Sequence, residues 1–145
     1  MSTLILFLVL AQGIRASAAA APRPSPALAP SEVVRSVVTA LANNQSPLPN
    51  AGIYTAYHFA SPGNRAVTGP YGHFLQLVHG DEASPLLRGH KTEFSPLAVL
   101  GETAQQDVRL FPAVGAAIVY RFSLSRQSAG DCIGCWMVDG VVRVH

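Results

Sequence analysis

Between Ile118 and Ser125 the side chains alternate strictly, with Ile118, Tyr120, Phe122 and Leu124 on one parity and Val119, Arg121, Ser123 and Ser125 on the other. Successive side chains of a strand point to opposite faces, so this segment is a strand with one apolar and one mostly polar face. A sheet built from such strands needs a cover on one side, and the chain before it supplies one. Val33, Val34, Val37, Val38 and Leu41 recur at helical spacing, which predicts a helix over Ser31 to Asn43 with Ser31 as its N-cap behind Pro30. Ile53 and Tyr57, with Tyr54 and Phe59 beside them, predict a second short helix running from Asn50 to the Ser61-Pro62-Gly63-Asn64 turn. Pro70 behind Gly69 opens a third, with Phe74, Leu77 and Val78 as its apolar face and Gly80 closing it, and Ser84 to Leu87 reads as one more turn. The period then changes. Phe94 to Leu100, Ala104 to Phe111, Ala116 to Ser125 and Cys135 to Val144 read as four strands separated by Gly, Pro or polar breaks. Helices first and strands afterwards predict an α+β fold, an antiparallel meander curling over a helical layer.

The segment before Ser31 has a different character. Leu4 to Ala11 is an unbroken apolar run, far short of the roughly twenty residues that span a bilayer, and it reads as the h-region of a signal peptide. Ala16-Ser17-Ala18 has the small-residue pattern of a cleavage site, so residues 1–20 are expected to be a targeting peptide without a stable membrane span in the mature protein. Residues 21–30 are almost entirely Ala and Pro and read as a disordered linker; residues 31–145 form the single domain. Of ten basic residues Arg15 and Arg23 precede Ser31, whereas all eight acidic residues follow it, so the domain itself is neutral. A neutral domain with scattered Arg and one Lys lacks the basic footprint that phosphate backbones require, which argues against nucleic acid as a partner.

Ala40-Leu41-Ala42-Asn43-Asn44, Gly52-Ile53-Tyr54, Tyr57 through Arg65, Thr68-Gly69-Pro70 with Phe74, and Cys135 to Val141 together resemble a domain family of unknown function, of the 4864 type, found in bacteria and photosynthetic eukaryotes. That family is similar to the nuclear transport factor 2-like, or cystatin-like, superfamily. The resemblance implies N-terminal helices packed in a strongly curved four-stranded antiparallel sheet, a cone. It implies no activity, because that superfamily includes isomerases, dehydratases, epoxide hydrolases and pure binding subunits. Sheets of that kind often pair through their open faces, which makes a homodimer an expected state. Ala16 to Pro22 is similar to the cleavage region of bipartite plastid presequences, although Ala19 stands where those carry an aromatic residue. The expected address is the secretory or extracytoplasmic route, or a plastid reached through such a presequence.

Candidate chemistry is sparse. Cys132-Ile133-Gly134-Cys135 is a C-x-x-C without the further ligands a zinc site needs, so no metal and no cofactor is expected. The alternatives are two packed free thiols, a disulfide if Ile133-Gly134 turns, or a redox pair; in an extended strand residues three apart lie about 10 Å apart, beyond bridging reach. Ser61 to Arg65 reads as a binding loop in which Asn64 and Arg65 hold an anion, or as a turn that ends a helix while Arg65 meets its last carbonyls. A cone enzyme would place an acid–base group and a polarising donor inside the sheet, and His58 and His73, with Tyr57 and Arg121, are the candidates of the right type. Asp107, Arg109 and Arg121 also read as cross-strand ion pairing. Trp136 reads as core, or as a stacking platform for a planar ligand. Two functions compete: a non-catalytic domain that binds a small apolar ligand or assembles with partners, and an isomerase, dehydratase or hydrolase working through the histidines.

Overall fold

The valines of the first helix do what their spacing predicts. In the computed structural model, which describes residues 20–145, α1 spans Pro30–Ala42 and buries Val33, Val34, Val37, Val38 and Leu41. The helix begins one residue before the predicted Ser31 cap: Ala29 is the N-cap, and Pro30 occupies the first turn, where its missing N–H costs nothing. The expected signal segment and its cleavage site lie outside the described residues. Residues 20–29 contain no regular helix or strand, and Leu28 packs on the core.

Helix α2 spans Ala51–Phe59 and lies against α1. The approach is very close at Gly52, where a Cβ would come within 1.9 Å of the Ala40 carbonyl oxygen, so only glycine fits. Asn44, 3 % exposed, caps the start of α2 by accepting a hydrogen bond from the Ile53 N–H at 2.9 Å.

Ser61 to Asn64 was expected as a terminating turn, and here the structure differs. A further helix, α3 (Pro62–Thr68), begins there, with Ser61 as N-cap accepting from the Asn64 N–H and Pro62 in its first turn. It buries no residue, so it leaves no apolar periodicity in the sequence. Helix α4 (Tyr71–His79) and a short 3-10 helix (Ser84–Arg88) complete the helical layer.

The expected strand Phe94 to Leu100 is two strands, β1 (Lys91–Phe94) and β2 (Ala98–Leu100), separated at Pro96, which cannot donate to a ladder. Both pair antiparallel with β3 (Thr103–Phe111). With β4 (Ile118–Arg126) and β5 (Trp136–Val144) the sheet has five strands rather than four, in the order β1-β3-β4-β5 with β2 beside β3. It is open, and neither strongly curled nor closed, in contrast to the expected cone. Ala104, Val108 and Leu110 of β3 and Tyr120, Phe122 and Leu124 of β4 are buried beneath the helices.

One irregularity decides how β5 meets that layer. Ser123 pairs with Gly140 but Leu124 pairs with Val138, so Asp139 is the extra residue of a bulge. The alternation of β5 slips by one there. Val138, then Val141 and Arg143, stand opposite the inward Leu124, Phe122 and Tyr120.

Candidate functional site

The helical layer does not fill the space over the far half of β5. A cavity of about 380 Å³ lies there, walled by Leu41, Ala56, Phe74, Val78 and Leu86 from the helices and by Val138 and Val141 from the strand. Its mouth carries exposed apolar side chains from three elements: Val67 of α3, Leu77 of α4 and Val141 of β5. Polar groups interrupt the lining in two places: Asn64, Thr68 and Asp139 beside the bulge, and Tyr120, Glu82 and Arg143 further along β5. The Tyr120 hydroxyl donates to the Glu82 carbonyl oxygen, and Arg143 lies nearby on the inward parity of β5. Burial pushes the Tyr120 hydroxyl above its ordinary range; Arg143 opposes this, Glu82 reinforces it and Arg88 opposes it. The phenol stays protonated and its donor stays on Glu82.

None of the acid–base candidates faces this cavity. His58 borders a different cleft, with its Nδ1 2.8 Å from the Tyr54 carbonyl oxygen. His73 is exposed and its Nδ1 lies 2.6 Å from the Thr68 carbonyl oxygen. The ring of Tyr57 packs against Tyr71 and Phe74 and under the Arg65 guanidinium. Arg121 points away from the helices, because the inward parity of β4 belongs to Tyr120, Phe122 and Leu124; it makes a two-pronged pair with Asp107 at 2.9 and 3.1 Å. The hydrogen bond from Arg121 holds the Asp107 carboxyl below its usual range, burial opposes that, and the charge of Arg121 adds to it.

The Asn64 and Arg65 side chains are used within the fold. Asn64 Nδ2 donates to the Val138 carbonyl oxygen at 3.1 Å, joining the Ser61 N–H, which donates to the same oxygen at 2.8 Å. Arg65 donates to the carbonyl oxygens of Tyr57 and His58, the last carbonyls of α2, where a cation is favoured. Trp136 is half-buried against the core cluster.

Cys132 and Cys135 are joined by a disulfide with Cα atoms 5.5 Å apart. Gly134, at φ +83°, supplies the turn that brings them within reach. Among the described residues no group of three or more His, Cys, Asp or Glu side chains is placed to hold a metal, and no helix is long and apolar enough to cross a membrane.

Sequence reasoning missed the cavity because its walls are Leu, Val, Ala and Phe, indistinguishable by residue type from ordinary core. The detectable signal was the surplus of apolar residues on α4 and β5, Leu77, Val141 and Val142, beyond what a one-sided cover needs. No curated protein and no solved structure matches the chain at a significant level. Residues 31–145, the whole segment from α1 to the last strand, match one family, and the chain therefore belongs to the family described as domain of unknown function (DUF4864).

Proposed function

We propose that this domain binds a small, predominantly apolar molecule in the cavity between the helical layer and β5, as a non-catalytic carrier or sensor in an extracytoplasmic or plastid compartment. The observation that carries the reading is the cavity itself, about 380 Å³ with predominantly apolar walls. Ligand sites have this character: a largely apolar hollow of a few hundred Å³ with a few convergent polar groups. At about 30 Å³ for one water, the space holds on the order of ten non-hydrogen atoms. A polar group on the ligand belongs beside Arg143, the cation of the lining. The absence of His58 and His73 from the lining favours binding over acid–base chemistry at this place. The disulfide supports an oxidising address. Kinship with the nuclear transport factor 2-like superfamily is part of the same reading, supported by helices laid over one face of an antiparallel sheet around an apolar hollow.

Native mass spectrometry of the protein purified without added ligand tests it. A one-to-one adduct that leaves on denaturation, and that Leu77→Glu at the mouth abolishes, is the expected result. A bare mass together with no binding of neutral aromatic or aliphatic probes would reject the reading. A dimer that Leu77→Glu dissociates, without any adduct, would assign the apolar mouth to assembly instead.

A further inference from the structure

The second cleft of interest lies at the other end of β5, where the chain turns out of β4. It has a volume of about 660 Å³, and the Cys132–Cys135 bridge borders it together with His58, Arg65, Arg23 and Asp131. The two sulfur-bearing residues differ in access. Cys135 is fully buried, at 0 % exposure, while Cys132 is partly exposed to the cleft. Only one sulfur is therefore open to an incoming nucleophile, which is the arrangement that directs thiol–disulfide exchange to a single atom.

Backbone hydrogen bonds as well as the bridge hold the turn around the pair. The Gln127 N–H donates to the Cys135 carbonyl at 2.8 Å, the Gly134 N–H donates to the Gln127 carbonyl at 2.7 Å, and the Cys135 N–H donates to the Cys132 carbonyl at 3.2 Å. These bonds hold the turn at both ends through contacts that do not involve the sulfurs. The walls of the cleft are also chemically biased. Arg23 from the N-terminal arm and Arg65 from α3 outnumber the single carboxylate, Asp131, which favours a ligand with negative charge.

From this placement we infer that Cys132–Cys135 is an exchange-active couple that accepts electrons from an acidic peptide thiol bound in the cleft. The incoming thiol loses its proton and its sulfur attacks Cys132 Sγ. The Cys132–Cys135 bond breaks, its electron pair goes to Cys135 Sγ, and that sulfur takes up a proton to become a thiol. A second thiol of the same chemistry, also deprotonated, attacks the peptide sulfur of the mixed disulfide. Cys132 leaves with the electron pair and is protonated. Two thiols become one disulfide, and the C-x-x-C gains two electrons and two protons.

Glutathione, an acidic peptide thiol, is the probe. The full chain is incubated natively with reduced glutathione, quenched with an alkylating reagent and mapped by mass. The expected result is reduction with far-ultraviolet circular dichroism unchanged, alkylation at Cys132 ahead of Cys135 in the unsubstituted chain, and, when Cys135→Ser is incubated with oxidised glutathione instead, glutathione attached at Cys132 with one reduced glutathione released. If that variant does not fold, the order of alkylation in the unsubstituted chain carries the test. Arg23→Glu, on the exposed arm, should slow exchange with glutathione about threefold or more while leaving exchange with neutral 2-mercaptoethanol unchanged. A bridge that opens only in denaturant, or whose reduction unfolds the domain, would overturn the assignment. Equal slowing with both thiols would overturn the acidic-ligand part.

Discussion

The two halves of β5 belong to one strand and are held in opposite ways. The first, Trp136 to Val138, is anchored on both sides: Leu124 pairs with Val138 in the sheet, and Ser61 and Asn64 take the Val138 carbonyl from the helical side, where Ala60 also bridges to Val138. The second, Gly140 to Val144, is paired with β4 alone and leaves Val141, Val142 and Val144 exposed. The Asp139 bulge divides them. The anchored half satisfies its backbone and borders the disulfide cleft; the open half borders the apolar hollow. On that half Val141 and Arg143 take the inward parity toward the hollow, while Val142 and Val144, opposite Arg121 and Val119, lie on the outer face.

If the halves differ as described, substitutions should rank accordingly. Leu124→Ala, opposite Val138 and 1 % exposed, should cost roughly 2–5 kcal/mol in a urea melt, whereas Val142→Ala, 63 % exposed on the open half, should cost less than about 0.5 kcal/mol. Equal losses would erase the distinction. The bridge closes only a short loop, so reducing it should cost about 2 kcal/mol, read as a drop of several degrees in Tm with the fold retained. Asn64→Ala removes one of the two donors to Val138 and should cost about 1 kcal/mol, with faster amide exchange at Ser61, whose N–H is the donor that remains.

The smallest effect lies on the outer face, which serves as a reference for both halves. Because the Asp107 carboxyl titrates below its unfolded value, its pair with Arg121 stabilises the fold above that value and the contribution disappears as pH falls through the folded one. Thermal melts from pH 6 downward should show Asp107→Asn losing a small part of the acid dependence below about pH 4, and no more, since exposed pairs contribute little.

How much of this was legible follows from what each feature leaves in a sequence. The strict alternation of Ile118 to Leu124 announced β4, and the valines of α1 announced the buried helix, because both elements bury one face completely. Helix α3 buries nothing, so only Ser61 and Pro62, an N-cap followed by a first-turn proline, could have announced it. The Asp139 bulge is one inserted residue in an apolar run and shows no pattern of its own. The turn that permits the disulfide depends on Gly134 at positive φ, and residue type alone does not tell a turning glycine from an extended one. Asn64 and Arg65 read either as an anion-binding pair or as a turn with Arg65 on the carbonyls of a helix end; their partners, backbone carbonyls on α2 and β5, exist only after folding.

The central claim is that the hollow beside the open half of β5 takes a small apolar molecule, and a nuclear magnetic resonance titration with a neutral aromatic probe tests it most directly. Saturable shifts confined to the amides that line the hollow, Phe74 to Val78 and Val138 to Arg143 with Leu41, Ala56 and Leu86, and absent from the Cys132 to Cys135 turn and the outer face, are what the account predicts. Absence of shifts at those amides, or shifts spread evenly over the surface, would contradict it.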